Sequence, residues 1–228
     1  MDVSNNLFNT WEKYRLSDML RWPGVRNGTC NKNNYKCEYE RYLVEFPNSI
    51  VTKYMLKLSE NERNREGIEL NKLKEILLSY PMINYDEKAI HMHLRIGDVC
   101  IANNDVRFKR KMTAQELCYH GLLLKYGNIE KYYCKPWCHY EGKLKECIKK
   151  GANKKIIIVC GMHTKGKGVE ESKEVVRLYK LELEKRGYEV ELNMGNNPDV
   201  DFVMLYRVKY FIEGGGGYGE LIKICREN

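Results

Sequence analysis

The sequence predicts an α/β fold, with a doubly wound, Rossmann-like half over residues 88–228 and a smaller lobe over residues 1–87. Three observations carry this. From Lys88 onward strand-like and helix-like patterns alternate, which is the rhythm of βαβ units around a parallel sheet. Lys154–Cys160 (KKIIIVC) ends in a continuous apolar run, as a central parallel strand covered on both faces requires. Three segments that follow strand patterns carry glycine-bearing turns, the place where such sheets receive ligands.

The elements follow in order. Residues 1–87 carry little periodicity. Trp22-Pro23-Gly24 reads as a turn, Arg41–Phe46 as a strand stopped by Pro47, and Glu60–Glu66 as a solvated charged surface. Leu70, Leu73, Ile76 and Leu77 recur at helical spacing, predicting a helix over Gly67–Ser79 that Pro81 closes. Lys88–Arg95 alternates as a strand, with Ile90, Met92 and Leu94 on one face and His91, His93 and Arg95 on the other. Thr113-Ala114-Gln115-Glu116 is a capping box, opening a helix toward Tyr126. Further helices are expected over Tyr140–Lys150 and Val169–Arg186. The second turns Val176, Tyr179 and Leu183 to one side and has Gly187 as its C-terminal cap. Tyr188–Asn193 is the next strand, Asp199–Tyr206 a short helix, Lys209–Ile212 a strand and Tyr218–Cys225 the last helix.

Bulk properties narrow the function. At 228 residues, 43% hydrophobic and 31% charged, the chain can bury a core. It has no run of 18 apolar residues, and Met1–Asn6 lacks the basic and apolar regions of a signal peptide, so a cytoplasmic protein without a membrane span is expected. A net charge of +8 fits either a lysine-rich surface or a preference for anionic ligands. The charges are scattered and no recognition motif accompanies them, so nucleic acid is not an expected partner. The nine cysteines read as reduced thiols. Cys134, Cys138, His139 and Cys147 match no strong zinc spacing, and no metal is expected.

The chemistry concentrates in three segments that the fold would bring to one crevice. The first is His93-Leu94-Arg95-Ile96-Gly97-Asp98, where a strand delivers an imidazole and a guanidinium to a turn. Arginine offers a planar fork of donors to phosphate oxygens, and glycine lets backbone approach a ligand. The second runs from Gly161 to Gly168 and includes His163, Thr164 and Lys165. The third is Glu213–Gly219, with four consecutive glycines ahead of a helix whose N-terminal amides and dipole suit an anion. Asp201 suits either a helix cap or an acceptor of hydrogen bonds from a ribose or base. Arg107–Lys111 reads as a solvated basic loop or as a phosphate-steering one.

These residues resemble a known family. His93-x-Arg95-x-Gly97-Asp98 resembles the HxRxGD motif of the fucosyltransferase superfamily, which includes the α1,2-, α1,6- and protein O-fucosyltransferases. Asp201–Leu205, then Lys209–Ile212, then Gly215-Gly216-Gly217-Tyr218-Gly219 is similar to that family's second donor motif, with glycines where the family usually has serines. The resemblance covers residues 88–228. Small proteins of this look also occur in large DNA viruses. The family's glycine-rich N-terminal loop has no counterpart here.

The resemblance implies a GT-B-like glycosyltransferase with a Rossmann-like C-terminal donor half and a reduced N-terminal, acceptor-side lobe. It implies an inverting, metal-independent enzyme without a cofactor. Such an enzyme transfers a 6-deoxy-L-hexose, fucose or rhamnose, from a GDP- or UDP-linked donor to a glycan hydroxyl. The acceptor side is either reduced or completed by another domain or chain. Arg95 would bind the diphosphate and stabilise the leaving charge. His93, Gly97, His163, Thr164, Lys165, Asp201, Gly215, Gly216, Gly217 and Tyr218 would surround the donor, and Asp98 is a candidate general base, as is Asp105. The alternative is a catalytically silent nucleotide- or glycan-binding module.

Overall fold

The computed structural model describes residues 48–57, 69–81, 84–96, 112–126, 129–161, 167–195 and 197–227. The chain divides into two compact units, Asn84–Glu220 and a second formed by Met1–Ile83 with Leu221–Asn228.

In the latter unit, α1 (Ile50–Lys57) packs on α2 (Leu70–Ser79). The Ser49 hydroxyl accepts the Thr52 N–H at 3.1 Å and so caps α1. Tyr54 is fully buried, and its hydroxyl accepts the Glu69 N–H at 2.8 Å just ahead of α2. Leu73, Ile76 and Leu77, three of the residues that predict α2, are buried. The helix begins at Leu70 rather than Gly67. Nothing in the local pattern announces α1, a helix of only eight residues.

The larger unit is mixed α/β and is built on a four-stranded sheet of β1 (Ile90–His93), β4 (Lys155–Cys160), β5 (Glu189–Met194) and β6 (Tyr210–Ile212). Every described pairing in it is parallel, and the spatial order is β5-β4-β1-β6. The chain therefore steps outward from β1 through β4 to β5, then returns to the other side of β1 as β6. That reversal point, beyond the carboxyl ends of β1 and β6, is the position at which open α/β sheets bind ligands.

Central placement explains the composition of β1. All four of its residues are buried, including His91 and His93, because neighbouring strands flank it on both sides. The core joins Ile90, Met92, Ile156 and Ile158 to Val176, Tyr179 and Leu183 of α5 (Lys167–Glu184), so the predicted inner stripe of that helix is buried.

Two differences from the sequence pattern have local causes. The Thr113–Glu116 capping box is present and starts α3 (Ala114–His120), but the helix stops at His120 instead of running toward Tyr126. Gly121, at φ +67°, ends it, and a Cβ there would collide with the Cys134 carbonyl. Leu122–Tyr126 is instead β2, paired antiparallel with β3 (Ile129–Cys134). The helix expected over Tyr140–Lys150 is α4 (Trp137–Lys149), starting a turn earlier behind Pro136. Tyr179 ties these parts together, its hydroxyl donating to the Cys118 carbonyl at 3.2 Å and the Lys135 carbonyl at 2.9 Å.

The chain closes with α6 (Pro198–Arg207) and α7 (Gly216–Glu227). The cap of α6 is Asn197, whose side chain accepts the Asp199 N–H at 2.9 Å, so Asp201 lies inside the first turn and is not the cap. No described helix is long and apolar enough to cross a membrane.

Candidate functional site

The crevice is built where β1 and β6 end. Met92 and Ile212 are register partners, and Glu213 leaves β6 beside His93, the last residue of β1, which stays paired with Val159 of β4. Gly214 then crosses so close to β1 that a Cβ would strike the His93 carbonyl and stand 2.9 Å from the Tyr140 hydroxyl. Tyr140 also donates to that carbonyl at 3.2 Å, holding the end of β1 from the α4 side.

Arg95 lies across the glycine loop. Gly216 has φ +69°, and a Cβ on it would stand 2.9 Å from both Cδ and Nε of Arg95. Only 9% of the Arg95 surface is exposed. The guanidinium that the first segment supplies and the loop that the third supplies are therefore in direct contact. The first amides of α7 have no acceptor within their own helix, and the helix dipole places partial positive charge there.

His93 is 5% exposed. Its Nδ1 points at Gly219, where a Cβ would stand 2.9 Å away, and has no hydrogen-bond partner among the described residues. Burial first, and the Arg95 charge second, pull the imidazole pKa down to about 3. It is therefore neutral at physiological pH and serves as a neutral polar group in the crevice wall.

Tyr218 packs against two rings, tilted at 5.5 Å from His93 and edge-to-face at 5.3 Å from Phe202 between ring centres. Its hydroxyl donates to the Pro198 carbonyl at 2.6 Å. Tyr218 therefore joins the start of α7 to the start of α6. Burial, with the nearby Asp201 carboxylate, raises its pKa well above the usual value.

Asp201 is 5% exposed and accepts the Asn193 amide at 3.2 Å. Its charge, added to burial, pushes the Cys160 thiol at the end of β4 up to about 12. The ends of β4 and β5 thus bring a protonated thiol and an amide up to a carboxylate from α6.

Three further residues complete the wall: Glu213, which the sequence marks only as the first residue of the third segment, His139, which it offers only as a zinc-type ligand, and Lys135, which it does not mark at all. The Glu213 carboxylate accepts the Gly215 N–H at 2.5 Å and lies 3.8 Å from Lys135 Nζ. His139, in the first turn of α4, donates its Nε2–H to the Glu213 carbonyl at 3.0 Å, which leaves Nδ1 as the acceptor. Burial holds the His139 pKa below its usual value. Glu213 could have been found from its position between a strand and four glycines, while Lys135 and His139 are remote in sequence and arrive only through folding.

The structure brings together His93, Arg95, Asp201, Gly215, Gly216 and Tyr218, with Gly217 in the first turn of α7. Gly97, Asp98, Asp105, His163, Thr164, Lys165 and the Arg107–Lys111 run lie outside the described residues. The four residues with zinc-like chemistry do not gather. Cys134 and Cys147 are buried, Cys138 is exposed, and His139 is engaged with Glu213. Among the described residues no cluster of three or more such side chains is placed to hold a metal.

Chemically, the crevice combines a cation, helix-terminal amides and a buried carboxylate–amide pair within a largely desolvated wall. That set can hold an anion at one end and hydroxyl or ring N–H donors at the other. Comparison with known proteins returned no match: no family model, no curated protein and no solved structure matches the chain.

Proposed function

We propose that this protein is an inverting glycosyltransferase with a GT-B-like donor half, acting on a nucleotide-diphosphate sugar whose sugar is a 6-deoxy-L-hexose. The observation that carries the reading is the packing of Arg95 across Gly216 at the reversal point of the sheet. Anion recognition needs a cation and helix-terminal amides aimed at one place, and the two most family-like segments of the sequence supply them there.

In this reading Arg95 neutralises the diphosphate and stabilises the charge that grows on it as the glycosidic bond breaks. The Gly216 and Gly217 amides share that charge. Asp201 and Asn193 accept from and donate to the ribose or base. His93, kept neutral, shapes the wall without adding a second cation. Asp98 is assigned as the base that takes the acceptor hydroxyl proton. The acceptor is a glycan hydroxyl, and GDP-fucose and UDP-rhamnose are the donors to test first.

The test is a thermal-shift panel of GDP, UDP, CDP, ADP and their sugar conjugates on the wild type and on Arg95→Ala. Selective stabilisation by one diphosphate, lost in the variant, is the expected result and names the base. No shift with any nucleotide would overturn the donor-site reading.

A further inference from the structure

The amide that opens the glycine loop is already occupied. Glu213 Oε1 accepts the Gly215 N–H at 2.5 Å, while Oε2 lies 3.8 Å from Lys135 Nζ. Both side chains still reach solvent, at 17% exposure for Glu213 and 22% for Lys135. The loop that would greet a phosphate therefore starts with an internal carboxylate on it. Among the described residues the other charged groups around it are Lys135, 3.8 Å away, Arg95, across Gly216, and Asp201, on the α6 side.

A carboxylate in that position opposes every negative charge that enters. The opposition differs between substrate and product of a glycosyl transfer. In a sugar nucleotide the terminal phosphate is esterified to the sugar and joined to the inner phosphate by an anhydride, so it carries one charge. Transfer bonds the acceptor oxygen to the anomeric carbon, passes the hydroxyl proton to a base, and breaks the bond between that carbon and the phosphate oxygen, which keeps the electron pair. The terminal phosphate then keeps only its anhydride linkage, with a charge near −2 at neutral pH because its second pKa is about 6. Like-charge repulsion at close range in a poorly solvated wall grows with that added charge.

Building on the donor-site reading above, we propose that Glu213 is a specificity-determining residue: its carboxylate, held on the Gly215 amide, admits the singly charged terminal phosphate of a sugar nucleotide and rejects the more highly charged one of the free nucleoside diphosphate. The residue thereby favours product departure. Lys135 Nζ lies within ion-pair range of the second carboxylate oxygen, at 3.8 Å, and only partly offsets the charge. His139 holds the Glu213 backbone, so the side chain can be changed without releasing the strand end.

The experiment measures dissociation constants of GDP, UDP and their 6-deoxyhexose conjugates by calorimetry on the wild type, Glu213→Gln and Glu213→Ala. Glutamine keeps the shape and removes the charge. Alanine also frees the Gly215 amide and decides the matter if glutamine keeps its hold. The expected result is that diphosphate binding tightens about tenfold more than sugar-nucleotide binding in a variant whose circular dichroism is unchanged. If the nucleotides bind the wild type and neither variant alters the ratio, or if either variant binds both ligands more weakly, Glu213 belongs to the ligand's grip or to the scaffold and the proposal falls alone. If none of the four ligands binds any form of the protein, the donor-site reading falls with it.

Discussion

Arg95 and Gly216 occupy mutually exclusive space: a single carbon added to the glycine would stand 2.9 Å from Cδ and Nε of the arginine. The same glycine holds φ at +69°, where an L side chain costs about 1–2 kcal/mol. Gly216→Ala should therefore do two separable things. It should lower stability by about that amount in urea titration, and push Arg95 off the loop so that nucleotide-diphosphate affinity falls about tenfold or more in calorimetry. Unchanged affinity in a folded variant would mean that Arg95 does not need its present position to bind ligand.

Arg95 itself should tolerate no replacement. Arg95→Lys retains the charge but loses the planar fork, so transfer should fall by about 10²–10³ with stability nearly kept. Initial rates with saturating donor measure this. A lysine variant with full activity would show that only the charge matters.

His93 links folding to acidity. Its folded-state pKa is depressed from 6.5 to about 3, so the fold holds it neutral while the unfolded chain takes up a proton below 6.5. The sign follows from proton counts: between those two values the unfolded state binds more protons. The stabilisation is complete above 6.5 and is lost as pH falls toward 3, by at most about 1.4 kcal/mol per pH unit. Denaturant midpoints across that window should drop in the wild type and drop less in His93→Gln.

Tyr218 should prove a brace. Removing its hydroxyl leaves the Pro198 carbonyl without that donor but leaves the ring packed against His93 and Phe202. Tyr218→Phe is expected to cost about 1 kcal/mol in urea unfolding while nucleotide affinity changes less than threefold. A large loss of affinity with full stability would make the hydroxyl a ligand contact instead.

Gly214 is expected to be the least replaceable glycine of the loop. A Cβ there meets the backbone carbonyl of His93, which cannot rotate away as a side chain can. Gly214→Ala should pry β6 from β1, and the readout is loss of soluble, cooperatively melting protein. A variant that melts like wild type would show that the strand ends have slack.

The sequence by itself determined what is local. Periodicity marked α2 and α5, the Thr113–Glu116 spacing marked the start of α3, and the apolar run marked β4. Each of those signals lies within one element, where side-chain spacing and backbone period are the same fact. It also picked out His93, Arg95 and the glycine loop, because residue types suited to phosphate stand at the ends of strands. The hairpin of β2 and β3 went unread, although Gly127-Asn128 lies between its two runs. Three consecutive leucines suit helix and strand alike, and only Gly121 at the Cys134 carbonyl decides between them. The tertiary structure alone decided the rest. Strand order placed β1 beside β6 and so laid Arg95 on Gly216, across more than 100 residues of chain. It placed Glu213 on the Gly215 amide with Lys135 behind it, and it neutralised His93 by burying it next to a guanidinium. Charge, burial and close approach depend on which segments meet, and no residue carries that information in its own neighbourhood.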